Sequence, residues 1–447
     1  MTMTSVNPKS TQSSNTTPSH GTKHKQSRPD DSQLAIRWKL SHTDTTWGLG
    51  EWKRYADGVW HFLEKDVVGN EITTVLENAR PEGVRVSNGL VNSVMEIARR
   101  KIFIPSEKWD ADPDFLPMKN GILHIPTCTL FPHTPGIYAT SRIEYDYDPN
   151  ATCPNFLYAL NSTIPNEAQF LQEFAGYALT PDVKHEISIW LQGTPGSGKS
   201  TIIGGIQTML GARAGLLGLR DIERSRFALS NLPGKTLVVS TESPEIYISA
   251  TDTINAIISG EPINVERKYY DAIEVIPRAK ILWSMNTLPR ISDANNGLTR
   301  RVKIIKFPKL PEDKKDVELK EKIILEGPGI LNWALKGLSR LRLRGKFDVP
   351  KSVQDATKDY QEHNDIPQMF LDEIGARIDL TDPHCRTQSQ FLYDQYSAWC
   401  QRNGHKPMSS TRMADEWKRL GFEKIKYSGS MYWLGVEITP FTVASNP

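Results

Sequence analysis

Eight consecutive residues, Gly193-Thr194-Pro195-Gly196-Ser197-Gly198-Lys199-Ser200, satisfy the spacing G-x-x-x-x-G-K-[ST] at every position. Glycines at those places let backbone N–H groups curl around phosphate oxygens, and the helix that follows adds partial positive charge at its N-terminus. Lys199 is placed to neutralise the β and γ oxygens, and the Ser200 hydroxyl to ligate Mg²⁺. Thr201 completes the binding stretch. The flanks agree with this chemistry: "ISIWLQ" before the loop is a buried-strand run, and "STIIGGIQTML" after it opens a helix. ATP and Mg²⁺ are therefore the expected cofactors.

Three further residues have types suited to hydrolysis. The apolar run "KTLVVSTES" ends at Glu242, where a strand-terminal carboxylate beside the phosphate loop can polarise the attacking water. Thr241 stands where many such enzymes place an aspartate, so the metal shell is left to Ser200 and waters. Glu245 is the second candidate for the base. A third buried run, "AKILWSM", leads into Asn286, whose amide can orient that water against the γ-phosphate. Finally, "GLTRRVKIIKFP" sets Arg300 and Arg301 just before a strand, and neither has an evident acidic partner nearby in sequence. An arginine projected into a neighbouring subunit's site stabilises transition-state charge, an effect of about 10³ to 10⁵ in rate.

These residues need elements to hold them. From about Glu186 to Leu310 strand and helix signals alternate, the pattern of a parallel α/β sheet. The chain has 447 residues, 38% of them hydrophobic, which suits several packed domains. Residues 1–33 are rich in Ser, Thr, Asn, Gln and Pro and read as a disordered tail. Residues 34–165 form an N-terminal region and 166–185 a helical collar segment. The ATPase core spans 186–310, a helical lid or linker 311–380, and a C-terminal module 381–447. Within that module a pair of helical stretches precedes a hairpin at Ser428-Gly429-Ser430, which suggests a winged helix. Its basic residues Arg402, Lys406, Arg412, Lys418, Arg419, Lys424 and Lys426 could face phosphate.

A formal charge of +2, from 54 basic and 52 acidic residues, argues neither for nor against a polyanionic partner. The four cysteines lack metal-ligand spacing and fit a reducing compartment. No apolar run reaches the roughly 18 to 20 residues of a membrane span. A soluble, cytoplasmic protein is expected, in the host cytoplasm if the source is viral.

The order of motifs resembles the superfamily 3 helicases of the AAA+ class, and within them the phage, plasmid and poxvirus primase–helicase group. The resemblance is carried by the phosphate loop, the strand ending at Glu242, "SGEPINVERKYYDAIEVIP", "AKILWSMNTLPRI" and "RRVKIIKF". Upstream, "NGILHIPT", "YDPNATCPNF" and "LQEFAGYALT" resemble the helical region preceding that core, and "GILNWALKGL" and "LYDQYSAWCQRNG" resemble the segments after it. The resemblance implies an AAA+ P-loop core with a mostly helical N-terminal region, assembled as a homo-oligomer, a hexameric ring. It implies that Arg301 rather than Arg300 acts in trans. It also gives "PINVERKYYDAIEVIP" a role as a channel-lining hairpin, with Arg267 and Lys268 contacting DNA phosphates and Tyr269 or Tyr270 stacking on bases. Asn255 stands where many relatives carry a lysine, so no lysine function is assigned there.

The function expected is ATP-dependent DNA unwinding during replication of a phage, plasmid or integrated element. The substrate is single-stranded or forked DNA, with primer synthesis supplied by a separate primase or polymerase. The same ATP site would serve a protein remodeller or packaging motor. It would also serve an origin-binding initiator without processive unwinding.

Overall fold

The computed structural model describes residues 28–225, 227–240, 247–248, 251–268, 270–291, 297–311, 316, 318–403 and 407–439. The chain divides into two compact units, one of residues 1–43 and 64–102, the other of residues 44–63 and 103–447.

The smaller unit contains the helices Asp31–Ser41, Lys65–Asn78 and Asn88–Lys101. Asp30 starts the first through a capping box with Gln33, satisfying two N–H groups that helix geometry would leave without acceptors. Leu34, Trp38, Val68, Ile72, Leu76, Val94 and Ala98 are buried on the inward faces.

The larger unit begins with antiparallel structure, not with the mostly helical region expected. Thr45–Gly48, Glu51–Ala56 and Val59–Leu63 form one three-stranded sheet, and Phe115–Met118, Gly121–His124 and Thr129–Phe131 form another. Two-residue turns set this choice. At Asp57-Gly58, φ is 50° and 83°, the pair of positive values a type I′ hairpin turn requires.

The core is a five-stranded sheet of β1 (Ser188–Gln192), β2 (Ala214–Leu216), β3 (Leu237–Ser240), β4 (Lys280–Met285) and β5 (Val302–Lys306). Its order is β5-β1-β4-β3-β2 and every pairing is parallel. All six residues of β4 and the first four of β1 are buried, as strands covered on both faces must be. Because all five strands run the same way, the segments following β1 and β4 emerge side by side at one edge.

One face is covered by the helices Lys199–Leu210, Ala168–Tyr177 and Gly327–Arg344, through Phe170, Phe174, Ile202, Ile206, Leu331 and Leu338 among others. The last two helices approach closely at Gly176 and Gly337, where an added Cβ would run into the other helix's backbone. On the opposite face Trp190 and Trp283, with ring centroids 5.9 Å apart, pack with Ile254, Ile257 and Tyr360.

Four helices follow, Leu319–Ile324, Gly327–Arg344, Lys351–Asn364 and Ile366–Glu373. The C-terminal core gathers Phe370, Tyr396, Trp399, Trp417 and Trp433. Its elements run helix, strand (Arg386–Gln388), helix (Ser389–Arg402), helix (Ser410–Arg419), then the hairpin Glu423–Tyr427 and Ser430–Leu434. Since Phe370 belongs to this core, its packing begins upstream of residue 381. Among the described residues no helix is long and apolar enough to cross a membrane.

Candidate functional site

The glycine-rich loop Gly193–Gly198, expected to bind phosphate, leaves the C-terminal end of β1 and enters the helix Lys199–Leu210. Gly196 and Gly198 have φ of 76° and 90°, the left-handed conformations that bend the loop back over the helix start. The loop is tied down at both sides. The Gly193 N–H donates to the Met285 carbonyl at 3.2 Å, and a Cβ on Gly193 would stand 2.7 Å from the Phe307 carbonyl oxygen. The first turn of the helix presents N–H groups that have no acceptor within the helix.

Lys199 is buried, and burial pulls its ammonium below the usual lysine range. Its Nζ donates to the carbonyls of Gly193 at 2.5 Å and Thr194 at 3.0 Å, to Ser197 Oγ at 3.2 Å and to Asn286 Oδ1 at 3.3 Å. The structure thus brings Asn286, the first residue past β4, to the lysine of the loop. Thr194, Pro195, Gly196 and Ser200 are exposed or half-buried along the loop, and Ser197 is buried beneath it.

These residues line a cleft of about 400 Å³, whose wall includes Ser284 of β4 and Ser200 and Thr201 of the helix. Oxygen-rich triphosphate fits this donor set. The single Ser200 hydroxyl fits Mg²⁺, an ion that keeps several waters and shares its ligands with phosphate. Among the described residues no cluster of three His, Cys, Asp or Glu side chains forms a separate metal site.

Other expected residues fall elsewhere. Glu242 and Glu245 lie outside the described residues, as do Tyr269 and Lys406. Arg301 sits at the opposite edge of the sheet, immediately before β5. Contrary to the expectation from sequence, it has an acidic partner. Its Nε donates to Glu186 Oε2 at 2.7 Å, and its Nη1 donates to Asn255 Oδ1 at 3.2 Å. Arg300 is exposed.

The hairpin forms as expected from Ile263–Arg267 paired antiparallel with Tyr270–Val275. Its two cations differ in environment. Lys268 is exposed in the turn, whereas Arg267 is largely buried and turned inward onto the Leu49–Glu51 turn, bonding the Leu49 carbonyl and Glu51 Oε2, each at 3.4 Å. In the C-terminal module, Arg419 is committed to Glu416 and Asp365, and Lys418 pairs with Asp415. Arg412 and Lys424 are exposed, and Lys426 lies on the same hairpin strand as Lys424.

Sequence reasoning missed the helix Pro154–Thr163, which supplies Tyr158, Ser162 and Thr163 to the cleft. It also missed Glu326, which caps that helix by accepting from the N–H groups of Asn155 at 3.0 Å and Phe156 at 2.9 Å. Nothing local in "PNFLYALNST" marks it as belonging to a site.

Residues 39–165 match a family described as D5 N terminal like, and residues 191–301 match a family of unknown function, DUF5906. A viral protein carrying the name "Putative helicase 121R", from Invertebrate iridescent virus 3, is 23% identical over 320 residues. That match takes in 62% of this chain and 34% of the relative, so the chain spans about a third of that protein's length. A solved structure described as the A form apo structure of the NrS-1 C-terminal region is 10% identical. It covers 91% of this chain and 99% of its own, with a TM-score of 0.51, a likeness of fold. These likenesses support the resemblance to the phage and viral primase–helicase group.

Proposed function

We propose that the chain is an ATP-dependent DNA helicase of the superfamily 3, AAA+ type, acting as a ring in replication of a phage, plasmid or integrated element. The observation that carries this reading is the Lys199–Asn286 hydrogen bond, which joins the phosphate loop to the polar end of the adjacent strand at the centre of the sheet. An amide in that place can hold a water in line with a γ-phosphate, and the buried ammonium can exchange its carbonyl partners for phosphate oxygens. Mg²⁺, held through Ser200, would neutralise charge developing on the β and γ oxygens. Glu242 acts as the base. Arg301, at the far edge of the sheet from its own loop, serves the site of a neighbouring subunit and must exchange Glu186 for phosphate to do so.

Single-stranded or forked DNA runs past the hairpin, with the exposed Lys268 as its phosphate contact. Arg267, beside that turn, holds the hairpin's tip against the Leu49–Glu51 turn. A hexamer, a separate primase or polymerase partner and a cytoplasmic setting belong to the same reading. The test is DNA-stimulated ATPase and strand separation by wild type, Lys199→Ala and Lys268→Ala. Lys199→Ala should lose both activities. Lys268→Ala should keep basal ATPase and lose unwinding; if it unwinds normally, the hairpin does not move DNA.

A second reading, an origin-binding initiator, is favoured by the helix–strand–helix–helix–hairpin order of the C-terminal module, that of a winged helix. Footprinting of the full chain on origin-containing duplex would support it if protection were sequence-specific and independent of ATP hydrolysis.

A further inference from the structure

The phosphate loop accounts for only one end of the 400 Å³ cleft. The rest of its wall includes Tyr158, Leu310, Asp316 and Leu319, none of which belongs to the phosphate-binding motif. Tyr158 is 54% exposed, a large aromatic left open to solvent on a helix whose neighbouring residues Phe156, Ala159 and Leu160 are buried. Its place on the helix is fixed at both ends. Glu326 caps the N-terminus, and Thr163 at the C-terminus touches the phosphate loop, since a Cβ on Gly198 would stand 2.9 Å from Thr163 Cγ2. Leu310 flanks the same glycine at 3.6 Å.

Five residues separate Thr163 from Tyr158, a rise of about 7 Å along the helix, and helical side chains lean toward the N-terminus, here away from the loop. Tyr158 therefore stands beyond the loop by about the length of a sugar. Tyr158 and Ser162, four apart, lie on one face of the helix and line the cleft together.

We propose that Tyr158 is the platform on which the base of the bound nucleoside triphosphate stacks, with the cleft residue Leu319 completing the slot. The proposal rests on the phosphate loop binding a triphosphate and adds how the rest of that molecule is held. A slot with an aromatic floor and aliphatic cover recognises ring area more than edge pattern. It therefore favours purines over pyrimidines and separates ATP from GTP weakly.

The test compares wild type, Tyr158→Ala and Tyr158→Phe in the full chain, using ATP, GTP, CTP, UTP and inorganic tripolyphosphate. Because Tyr158 is exposed, its replacement leaves the core intact; circular dichroism and the melting temperature check this. Tyr158→Ala should raise KM for ATP by about tenfold, the low end of what base–aromatic stacking contributes, with kcat nearly unchanged. Tyr158→Phe should restore KM. Tripolyphosphate affinity, measured by calorimetry, should be the same in all three proteins. The wild type's preference for ATP and GTP over CTP and UTP should vanish in Tyr158→Ala.

An unchanged KM for ATP in Tyr158→Ala overturns the proposal. So does an equal loss for tripolyphosphate, which would place the effect at the phosphate end. A wild type that binds neither ATP nor tripolyphosphate would overturn the reading of the phosphate loop itself, a distinct failure.

Discussion

Lys199 and Asn286, 87 positions apart in the chain, meet at 3.3 Å where β1 and β4 end side by side. In the proposed mechanism Lys199 binds phosphate and Asn286 positions water, so their replacements should fail differently. Lys199→Ala should abolish nucleotide binding by calorimetry. Asn286→Ala should bind ATP within a few-fold of wild type but lose kcat by about 10² to 10³, the usual effect of removing one positioning donor or acceptor. Equal loss of binding in both variants would refute the division of labour.

Arg301 is tethered to Glu186 through a pair whose carboxylate side chain is 43% exposed. The Arg301 side chain is itself only 13% exposed and also donates to Asn255 Oδ1 and the Gly297 carbonyl, so Arg301→Ala should lower unfolding free energy by about 1 to 3 kcal/mol. Its kcat should nevertheless fall by about 10³. Glu186→Gln weakens the tether without removing the guanidinium, and turnover should hold or rise. A large stability loss in Arg301→Ala with normal kcat would make the residue structural.

Arg267 and Lys268 are neighbours with different surroundings, which separates them experimentally. Arg267→Ala gives up bonds to the Leu49 carbonyl and Glu51, and should cost about 1 kcal/mol in urea unfolding. Lys268→Ala acts on an exposed side chain. It should weaken single-stranded DNA binding and lower the slope of log affinity against log salt by about 0.7 for each phosphate no longer neutralised. The reverse pattern would contradict the hairpin geometry.

Lys280, at the start of β4, is fully enclosed; its Nζ donates to the carbonyls of Thr180 and Arg278 and stands 4.6 Å from the Tyr177 ring centroid. Burial pulls its pKa well below the ordinary lysine value. Between that depressed value and the unfolded value of about 10.4, the unfolded chain holds the extra proton, so stability rises with pH. The stability of wild type minus that of Lys280→Met, measured by urea unfolding from neutral pH upward, should therefore climb. A flat or falling difference would mean that the lysine stays charged in the fold.

The sequence announced the phosphate loop, the strand before Asn286 and the hairpin because each is a local pattern: a glycine spacing, an apolar run, two short strands around a polar turn. The partners of those residues were not legible. Glu186 and Arg301 lie 115 positions apart, and Arg267 and Glu51 lie 216 apart. Only the fold brings them together. Tyr158 was invisible for a related reason: a helix with ordinary apolar spacing reads as packing until its open face is seen against a cleft. The sheet of Thr45–Gly48, Glu51–Ala56 and Val59–Leu63 was under-read because strands of four to six residues carry too little periodicity to outweigh the helices on either side.

In the proposed ring, hydrolysis takes place at a seam between identical subunits. Mixing Arg301→Ala with Lys199→Ala protein tests it most directly, because each variant alone is inactive by a different defect. If sites are shared, a subunit with an intact phosphate loop can receive Arg301 from its neighbour. The mixture should then recover a fraction of the wild-type ATPase, with activity depending on total protein concentration. A mixture as inactive as its components, beside a wild type whose specific activity is the same at every dilution, would contradict the account.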